Sequence, residues 1–293
     1  MKFNFIIHEA FSMSRFWLLF GVLLTLGGVA LAQSATSPSS IPPIQDNSFM
    51  VEEAYNQNFG VVQHINTFTR FWDSKDWIYT FTQEWPVPGD ERHQLSYTLA
   101  RQHAGALPDS GSGIGDVLLN YRYQLVGDGN ARVAFAPRLT LICPTGDSSV
   151  ARGAGGFGVQ TSLPASIVLT SKLVSHWNAG ATFVPHAKDA GGDQAFSAGY
   201  NLGQSFIWLV HPRVNLMLET VYSANQAVVG VDKTEWARSM YVSPGVRWSY
   251  NFKNGLQIVP GIGIPIGAGP SYGEKAVLFY LSFEHPFRKL PKQ

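Results

Sequence analysis

A strict alternation of apolar and polar residues runs through the middle of the chain. In residues 117–125 every odd position is apolar or aromatic, as at Leu119 and Tyr121, while the even positions include Asn120 and Arg122. Successive side chains of a strand point to opposite faces, so this stretch predicts a β-strand with one apolar and one polar face. The turn formers Gly-Asp-Gly-Asn follow, and the alternation then resumes. The sequence therefore predicts a long antiparallel hairpin.

The same alternation recurs in about twelve segments, each near the roughly 9–11 residues that a tilted strand needs to cross a bilayer. The first segment is the least regular and the others keep their parity well. By number, the segments cover residues 58–70, 77–87, 92–102, 113–125, 132–141, 157–169, 173–184, 196–210, 214–222, 241–250, 256–266 and 276–287.

The connections between these segments alternate in length. Those after even-numbered strands are short and rich in turn formers: 88–90, 127–130, 171–172, 211–212 and 253–255. Those after odd-numbered strands are longer, apart from the short connection 72–76: 103–112, 145–154, 186–195, 224–236 and 267–275. Short turns on one rim and longer loops on the other are typical of bacterial outer-membrane barrels.

Alternation alone does not say which face is buried, and a secreted sandwich or lipocalin-like barrel would alternate too. Three features favour lipid: the uniform strand length, the polar rather than fully charged opposite face, and the aromatic residues on the apolar parity, often near strand ends. Those aromatic residues include Trp77, Trp85, Trp177, Trp208 and Trp248. Open sheet edges cannot exist in hydrocarbon, so lipid exposure requires closure. We therefore predict an all-β fold: an antiparallel transmembrane β-barrel of about twelve strands with short periplasmic turns and longer extracellular loops.

The first 32 residues have the features of a secretory signal peptide. Lys2 and Arg15 precede an apolar run that ends in Ala30-Leu31-Ala32. The alternative is an uncleaved anchor, but the run is short of the roughly 20 residues of a spanning helix. We expect cleavage near Ala32 and, for the mature protein, a location in the bacterial outer membrane.

Four regions follow from these boundaries. They are a signal peptide (1–32), an irregular segment rich in Ser and Pro (33–56), the transmembrane β-barrel (57–287) and a short C-terminal tail (288–293). The pattern does not decide whether the irregular segment lies in the periplasm or in the barrel lumen.

Composition and charge agree with a membrane barrel and argue against nucleic acid as a partner. Charged residues make up 14% of the chain, against about 25% in typical soluble domains. Without Lys2, Glu9 and Arg15, the mature chain carries equal numbers of acidic and basic residues. Nothing in this balance favours nucleic acid or a general attraction to anionic surfaces.

The polar parity carries charged and polar side chains that we expect to face the lumen. These candidates are Arg70, Glu84, Arg92, Asp116, Arg122, Arg132, Arg138, Lys172, His176, Asn178, Glu219 and Arg247. Charges inside a narrow barrel must pair or meet water. One interpretation is a ladder of salt bridges that fills the lumen, and the other is a weakly anion-preferring conduit.

Signals for catalysis or metal binding are weak, and we predict neither enzyme activity nor a cofactor. Ser166, His176 and Asn178 resemble a hydrolase set, but a lipid hydrolase needs its triad on the outer face, and these residues share the polar one. Loop aspartates such as Asp116 and Asp147 lack regular calcium-site spacing, and the histidines lack metal-ligand spacing. Cys143, the only cysteine, cannot form an intramolecular disulfide.

Three stretches carry a resemblance to a known family. They are GIGDVLLNYRYQL (residues 113–125), APRLTLICPTGD (136–147) and GGFGVQTSLPASIVLTSKLVSHWNAGATFVP (155–185). Together they resemble the outer-membrane family named for the meta-pathway of phenol degradation, often labelled as a transporter. The resemblance implies passage of aromatic or hydrophobic compounds and brings no site residues. Many such barrels end at an aromatic residue, whereas here Phe287 is followed by six more residues.

The sequence therefore predicts a monomeric outer-membrane channel for passive passage of small molecules, with aromatic or hydrophobic solutes implied by the resemblance alone. The expected partners are outer-membrane lipids, a small-molecule solute and, during biogenesis, the barrel-assembly machinery. The alternative is a non-transporting structural or adhesive barrel whose lumen is plugged by charged side chains and residues 33–56. A lipid hydrolase is a third hypothesis, which requires an outward-facing Ser/His pair.

Overall fold

The computed structural model describes residues 44, 48–106 and 111–287. The predicted signal peptide with its cleavage point near Ala32, residues 33–43 and 45–47 of the irregular segment 33–56, and the C-terminal tail 288–293 lie outside the described residues.

Strands dominate the described part of the chain, as the alternation predicts. The strands are β1 (Val61–Phe71), β2 (Trp77–Val87), β3 (Asp90–His103), β4 (Gly113–Ile114), β5 (Val117–Tyr123), β6 (Val133–Phe135), β7 (Arg138–Cys143), β8 (Gly158–Ser162), β9 (Ala165–Thr170), β10 (Leu173–Lys188), β11 (Gln194–His211), β12 (Val214–Gly230), β13 (Lys233–Trp248), β14 (Tyr250–Asn251), β15 (Gln257–Gly263), β16 (Ile266–Gly267) and β17 (Ala276–Pro286). Two short 3₁₀ turns, Ser148–Val150 and Gly269–Ser271, lie in loops. Among the described residues, no helix is long and apolar enough to cross a bilayer.

The strands form a closed antiparallel barrel in which each transmembrane span pairs with its neighbours in sequence. Short strands that share partners, such as β8 and β9 along β10, are two pieces of one span. Counted in this way, the described residues form twelve spans. The barrel closes where β1 pairs with β17, from Val61 opposite Pro286 to Phe71 opposite Ala276. The structure thus confirms the predicted twelve-stranded transmembrane barrel.

The two faces of the strands are oriented as the alternation predicts. Leu119 is 48% exposed on the outer surface, whereas Arg122 is 3% exposed and points to the interior. Trp177 and Trp208 also lie on the outer surface, each on the apolar parity of its strand. So large an apolar outer surface would be unfavourable in water and is suited to contact with lipid.

The two rims differ, although less than the sequence predicts. The rim that holds Val61 and Pro286, here called the short-turn rim, carries tight turns such as those at 88–89, 171–172 and 212–213. On the opposite rim, half of the loop predicted at 186–195 and most of the loop predicted at 224–236 are strand. The hairpin of β12 and β13 continues in register up to Gly230 opposite Lys233. Backbone pairing therefore continues where the side-chain alternation has already ended.

Candidate functional site in the barrel lumen

Residues 48–57, here called the inner segment, lie across the barrel interior without pairing in the sheet. Side chains from well-separated wall strands contact them in turn. The Ser48 Oγ lies 2.7 Å from the Ser205 Oγ on β11, and the Ala54 N–H donates to the Ser166 Oγ on β9 at 2.8 Å. The Gln57 N–H donates to the Gln94 Oε1 on β3 at 2.7 Å. The structure therefore places the described residues of the irregular segment 33–56 in the lumen.

Arg122 holds the centre of the inner segment. Its guanidinium donates to the Tyr55 carbonyl at 2.6 Å, to the Glu53 carbonyl at 3.2 Å and to the Asn56 Oδ1 at 3.0 Å. The Glu84 carboxylate lies 3.6 Å away and neutralises the buried charge. A buried guanidinium is tolerable only with such a set of acceptors, so Arg122 and the inner segment satisfy each other.

Wall carboxylate and amide groups bind the backbone of the first half of the inner segment. The Glu219 Oε1 accepts from the N–H groups of Met50 at 2.8 Å and Val51 at 3.2 Å. Asn178 binds both backbone groups of Glu52, accepting from its N–H at 2.7 Å and donating to its carbonyl at 2.9 Å. A buried segment without secondary structure needs such partners for its N–H and C=O groups.

The second half of the inner segment is bound by glutamines. Gln124 donates to the Ala54 carbonyl at 2.7 Å and accepts from the Asn56 N–H at 2.9 Å. Gln57 in turn donates to the Gln63 Oε1 on β1. Both wall glutamines lie close to strand ends at the short-turn rim. The inner segment therefore occupies the half of the lumen nearest that rim.

One sector of the lumen is apolar, which the sequence pattern did not predict. Phe49 packs against Tyr280, with ring centroids 5.2 Å apart. The buried cluster around them consists of Ile44, Ile65, Ile207, Met217, Val259 and Leu278. The alternation was taken to mean that the inward face of every strand is polar, so these inward apolar residues were not predicted. The glycines on the inner parity of β15 were the available signal, because they leave room for a large side chain from elsewhere in the chain.

Seven of the predicted lumen residues lie inside the barrel: Glu84, Arg122, Arg138, His176, Asn178, Glu219 and Arg247. Most of them contact the inner segment. Arg138, for example, forms a 2.9 Å salt bridge with Glu52 of the inner segment. The lumen thus contains ion pairs, as the salt-bridge interpretation expects. Some of these pairs lie within the wall, and others join the wall to the inner segment.

Four other predicted lumen residues lie elsewhere. Arg92, Arg132 and Lys172 are exposed at the short-turn rim, because they lie at or beyond the ends of their strands, where the wall no longer encloses the lumen. Arg70 is exposed on the outer surface, where its cross-strand neighbours are Trp77 and Val277. The assignment of Arg70 to the lumen was wrong because β1 has the opposite phase, with Ile65 facing inward.

Asp116, the remaining candidate, holds a loop at the rim opposite the short turns. Its two carboxylate oxygens accept from the N–H groups of Gly146 at 3.0 Å and Ala154 at 2.7 Å. This contact joins the GIGD stretch to the PTGD stretch. In the same loop the Ser149 hydroxyl donates to Asp147 and lowers the pKa of that carboxyl. Asp116 therefore orders a loop at this rim rather than lining the lumen.

The hydrolase candidates form a buried polar pair. The Ser166 Oγ lies 2.7 Å from the His176 Nδ1, and neither side chain is accessible. Asn178 binds Glu52 rather than completing a triad. The pair faces the inner segment, whereas a lipid hydrolase requires an outward pair. Within the described part of the chain, no group of three His, Cys, Asp or Glu side chains is arranged to hold a metal ion.

Residues 52–276 match the family described as "Putative MetA-pathway of phenol degradation". The chain belongs to this family. The match spans most of the barrel, and it begins within the inner segment. A comparison with curated proteins gives no significant match.

Solved structures share the fold at low sequence identity. An outer membrane channel from Pseudomonas putida F1 is 15% identical with a TM-score of 0.56, and the alignment covers 79% of this chain and 97% of that chain. NanC porin is 10% identical with a TM-score of 0.50, covering 75% of this chain and 98% of the porin. These likenesses agree with a barrel of the outer-membrane type.

Proposed function

We propose that this family member is an outer-membrane channel for passive passage of small molecules, and that the inner segment closes its lumen and must move for passage. The observation that carries the proposal is the mode of attachment. The inner segment pairs with no wall strand, so it can leave without breaking the barrel. Its partners are wall side chains such as Arg122 and Asn178, which water or a solute can replace.

The proposed location and solute class rest on different support. The apolar outer surface, the barrel fold and the predicted signal peptide support insertion in the outer membrane after cleavage near Ala32. The family description supports aromatic or hydrophobic solutes. Passage would be diffusion through the lumen, with no covalent step.

The alternative, a non-transporting barrel with a permanent plug, is favoured by the same inner segment. Its centre is deeply buried, as at Val51 and Ala54, and it is bound along its length. The two hypotheses differ in one respect: a channel needs the inner segment to move, whereas a structural barrel does not.

A disulfide that locks the inner segment tests this difference. Ser48→Cys and Ser205→Cys would replace two hydroxyl oxygens that lie 2.7 Å apart, close to the geometry of an S–S bond of about 2 Å. Cys143→Ser removes the only native thiol. Efflux of benzenesulfonate from proteoliposomes is the readout, because its sulfonate stays ionised and this charge prevents direct passage through lipid. We expect efflux in reductant and a fall to the level of protein-free vesicles after oxidation.

A matched control locks the wall instead. The hydroxyl oxygens of Ser223 and Ser239 also lie 2.7 Å apart, but they join β12 to β13 and not to the inner segment. Ser223→Cys/Ser239→Cys in the same background should therefore carry benzenesulfonate equally when oxidised and reduced. Equal efflux from the locked and unlocked Ser48/Ser205 pair would contradict gating, and no efflux from any variant would favour the non-transporting barrel.

A further inference from the structure

Three glycines on two neighbouring strands form a slot in the inner wall. Gly245 lies on β13, opposite Gly263 on β15, and Gly261 is two residues before Gly263. A methyl group at Gly261 would lie 2.5 Å from the Cε1 and Cζ of Phe49, and one at Gly245 would lie 2.7 Å from its Cε2. Any side chain at these positions would displace the phenyl ring, so the slot exists because all three positions are glycine.

The slot has the shape and surroundings of a site for one aromatic ring. The Phe49 ring is 7% exposed and tilted by 37° against Tyr280, which lies opposite Gly261 on β17. Tilted ring pairs at such distances are favourable arrangements. Three neighbouring strands thus form an aromatic site, and its present occupant belongs to the inner segment.

Unpartnered polar atoms lie beside the slot. The Ser243 Oγ is fully buried and has no hydrogen-bond partner among the described residues. It lies 3.1 Å from the point where a methyl group at Gly263 would be, and the Phe49 Cδ2 lies 3.0 Å from the same point. Glu219 faces Ser243 across the β12–β13 pair, and its Oε2 also lacks a partner in the described part of the chain. A phenyl side chain uses neither polar group.

We propose that this slot is a binding site for a single aromatic ring that carries a hydrogen-bonding substituent, and that Phe49 competes with such a ligand for it. The ring would lie between Gly245, Gly261 and Tyr280. A hydroxyl substituent would donate to the Glu219 carboxylate and accept from the Ser243 hydroxyl. These are the two groups that are costly to leave unpaired when buried. In the native protein, the site opens when the inner segment moves, so its use in passage rests on the proposed function.

Phe49→Ala tests the site in the full chain, because it vacates the slot and leaves the rest of the inner segment in place. The probe is 4-fluorophenol, followed by ¹⁹F NMR in detergent, with 4-fluorocyclohexanol as a thicker, non-planar comparison. We expect Phe49→Ala to bind 4-fluorophenol at least about tenfold more tightly than the wild type does. For 4-fluorocyclohexanol, we expect the affinities of Phe49→Ala and the wild type to be similar. A shift in electrophoretic migration between the unheated and the heated sample would show that the variant is folded.

Two further variants distinguish binding in the slot from partition of the probe into detergent. Phe49→Ala/Gly261→Ala should lose the added binding, since the new methyl group occupies the space of the ring. Phe49→Ala/Ser243→Ala should weaken it by about fivefold through loss of one hydrogen bond. If Phe49→Ala does not fold, Phe49→Leu is the replacement variant, because leucine still fills the slot but has no planar ring. Folded Phe49→Leu should bind 4-fluorophenol no better than the wild type does.

Equal binding by Phe49→Ala and Phe49→Ala/Gly261→Ala, or equal binding of the aromatic and the cyclohexane probes, would overturn the proposal. This equilibrium measurement needs no passage through the barrel. It can therefore succeed when the disulfide lock shows no gating, or fail when gating is found.

Discussion

At the residue scale, the phase of each strand is encoded locally, but the partner of each inward residue is not. The alternation around Arg122 predicts correctly that the guanidinium points inward. Its acceptors lie in the inner segment, more than sixty positions earlier in the chain, where no periodic pattern indicates a position. For Arg70, the orientation itself was predicted wrongly. The irregular first strand has no clear alternation, so Arg70 was assigned to the lumen although it lies on the outer surface.

Arg122→Met is expected to loosen the inner segment. Removing a buried charge that has three hydrogen bonds costs about 3 kcal/mol, because the freed acceptors and Glu84 stay buried without it. Endoproteinase Glu-C cleaves after glutamate, so cleavage after Glu52 or Glu53 reports release of the inner segment. We expect cleavage in proteoliposomes to be accelerated by about a hundredfold.

Arg92→Met is the matched control for this change. Its side chain is exposed at the short-turn rim and reaches only a backbone carbonyl at 3.4 Å and the face of Tyr123. Cleavage at Glu52 and Glu53 should remain at the wild-type rate. Equal rates for the two arginine variants would mean that Arg122 does not hold the inner segment.

At the element scale, strands and tight turns follow from short-range patterns, whereas their full length does not. The turn at 127–130 was predicted from its residue types, and the structure places it between β5 and β6. β12 and β13 continue past the predicted loop boundaries because backbone hydrogen bonds do not require alternating side chains. The path of the inner segment depends on many wall strands at once, so local propensity cannot predict it.

Asp116→Ala is expected to release the loop at 144–157. The carboxylate accepts two backbone N–H groups, and its loss leaves both without their partner. Trypsin can cleave in this loop after Arg152, and we expect the rate to rise by about tenfold. The same substitution at Asp128, which caps the turn at the other rim through the N–H groups of Asn130 and Ala131, should leave cleavage after Arg152 unchanged. An unchanged rate in Asp116→Ala would show that the contact does not order the loop.

At the scale of the whole molecule, the sequence predicts closure, because many strands of similar length with apolar outer faces have no other arrangement in lipid. The pairing of β1 with β17 confirms it. The state of the lumen could not be predicted, since the same inward residues suit an open conduit or a filled one. The structure fills the half near the short-turn rim, and the proposed function requires that this filling be reversible.

Single-channel current in planar bilayers, compared between the mature chain and a variant without residues 33–57, tests this account most directly. The deletion removes Glu52 and Glu53 and frees Arg138 from its carboxylate partner, so the emptied lumen becomes more positive. We predict brief openings for the mature chain, and a steady current with a reversal potential that shows anion preference for the deletion variant. A folded deletion variant that carries no current would contradict a conduit through the lumen.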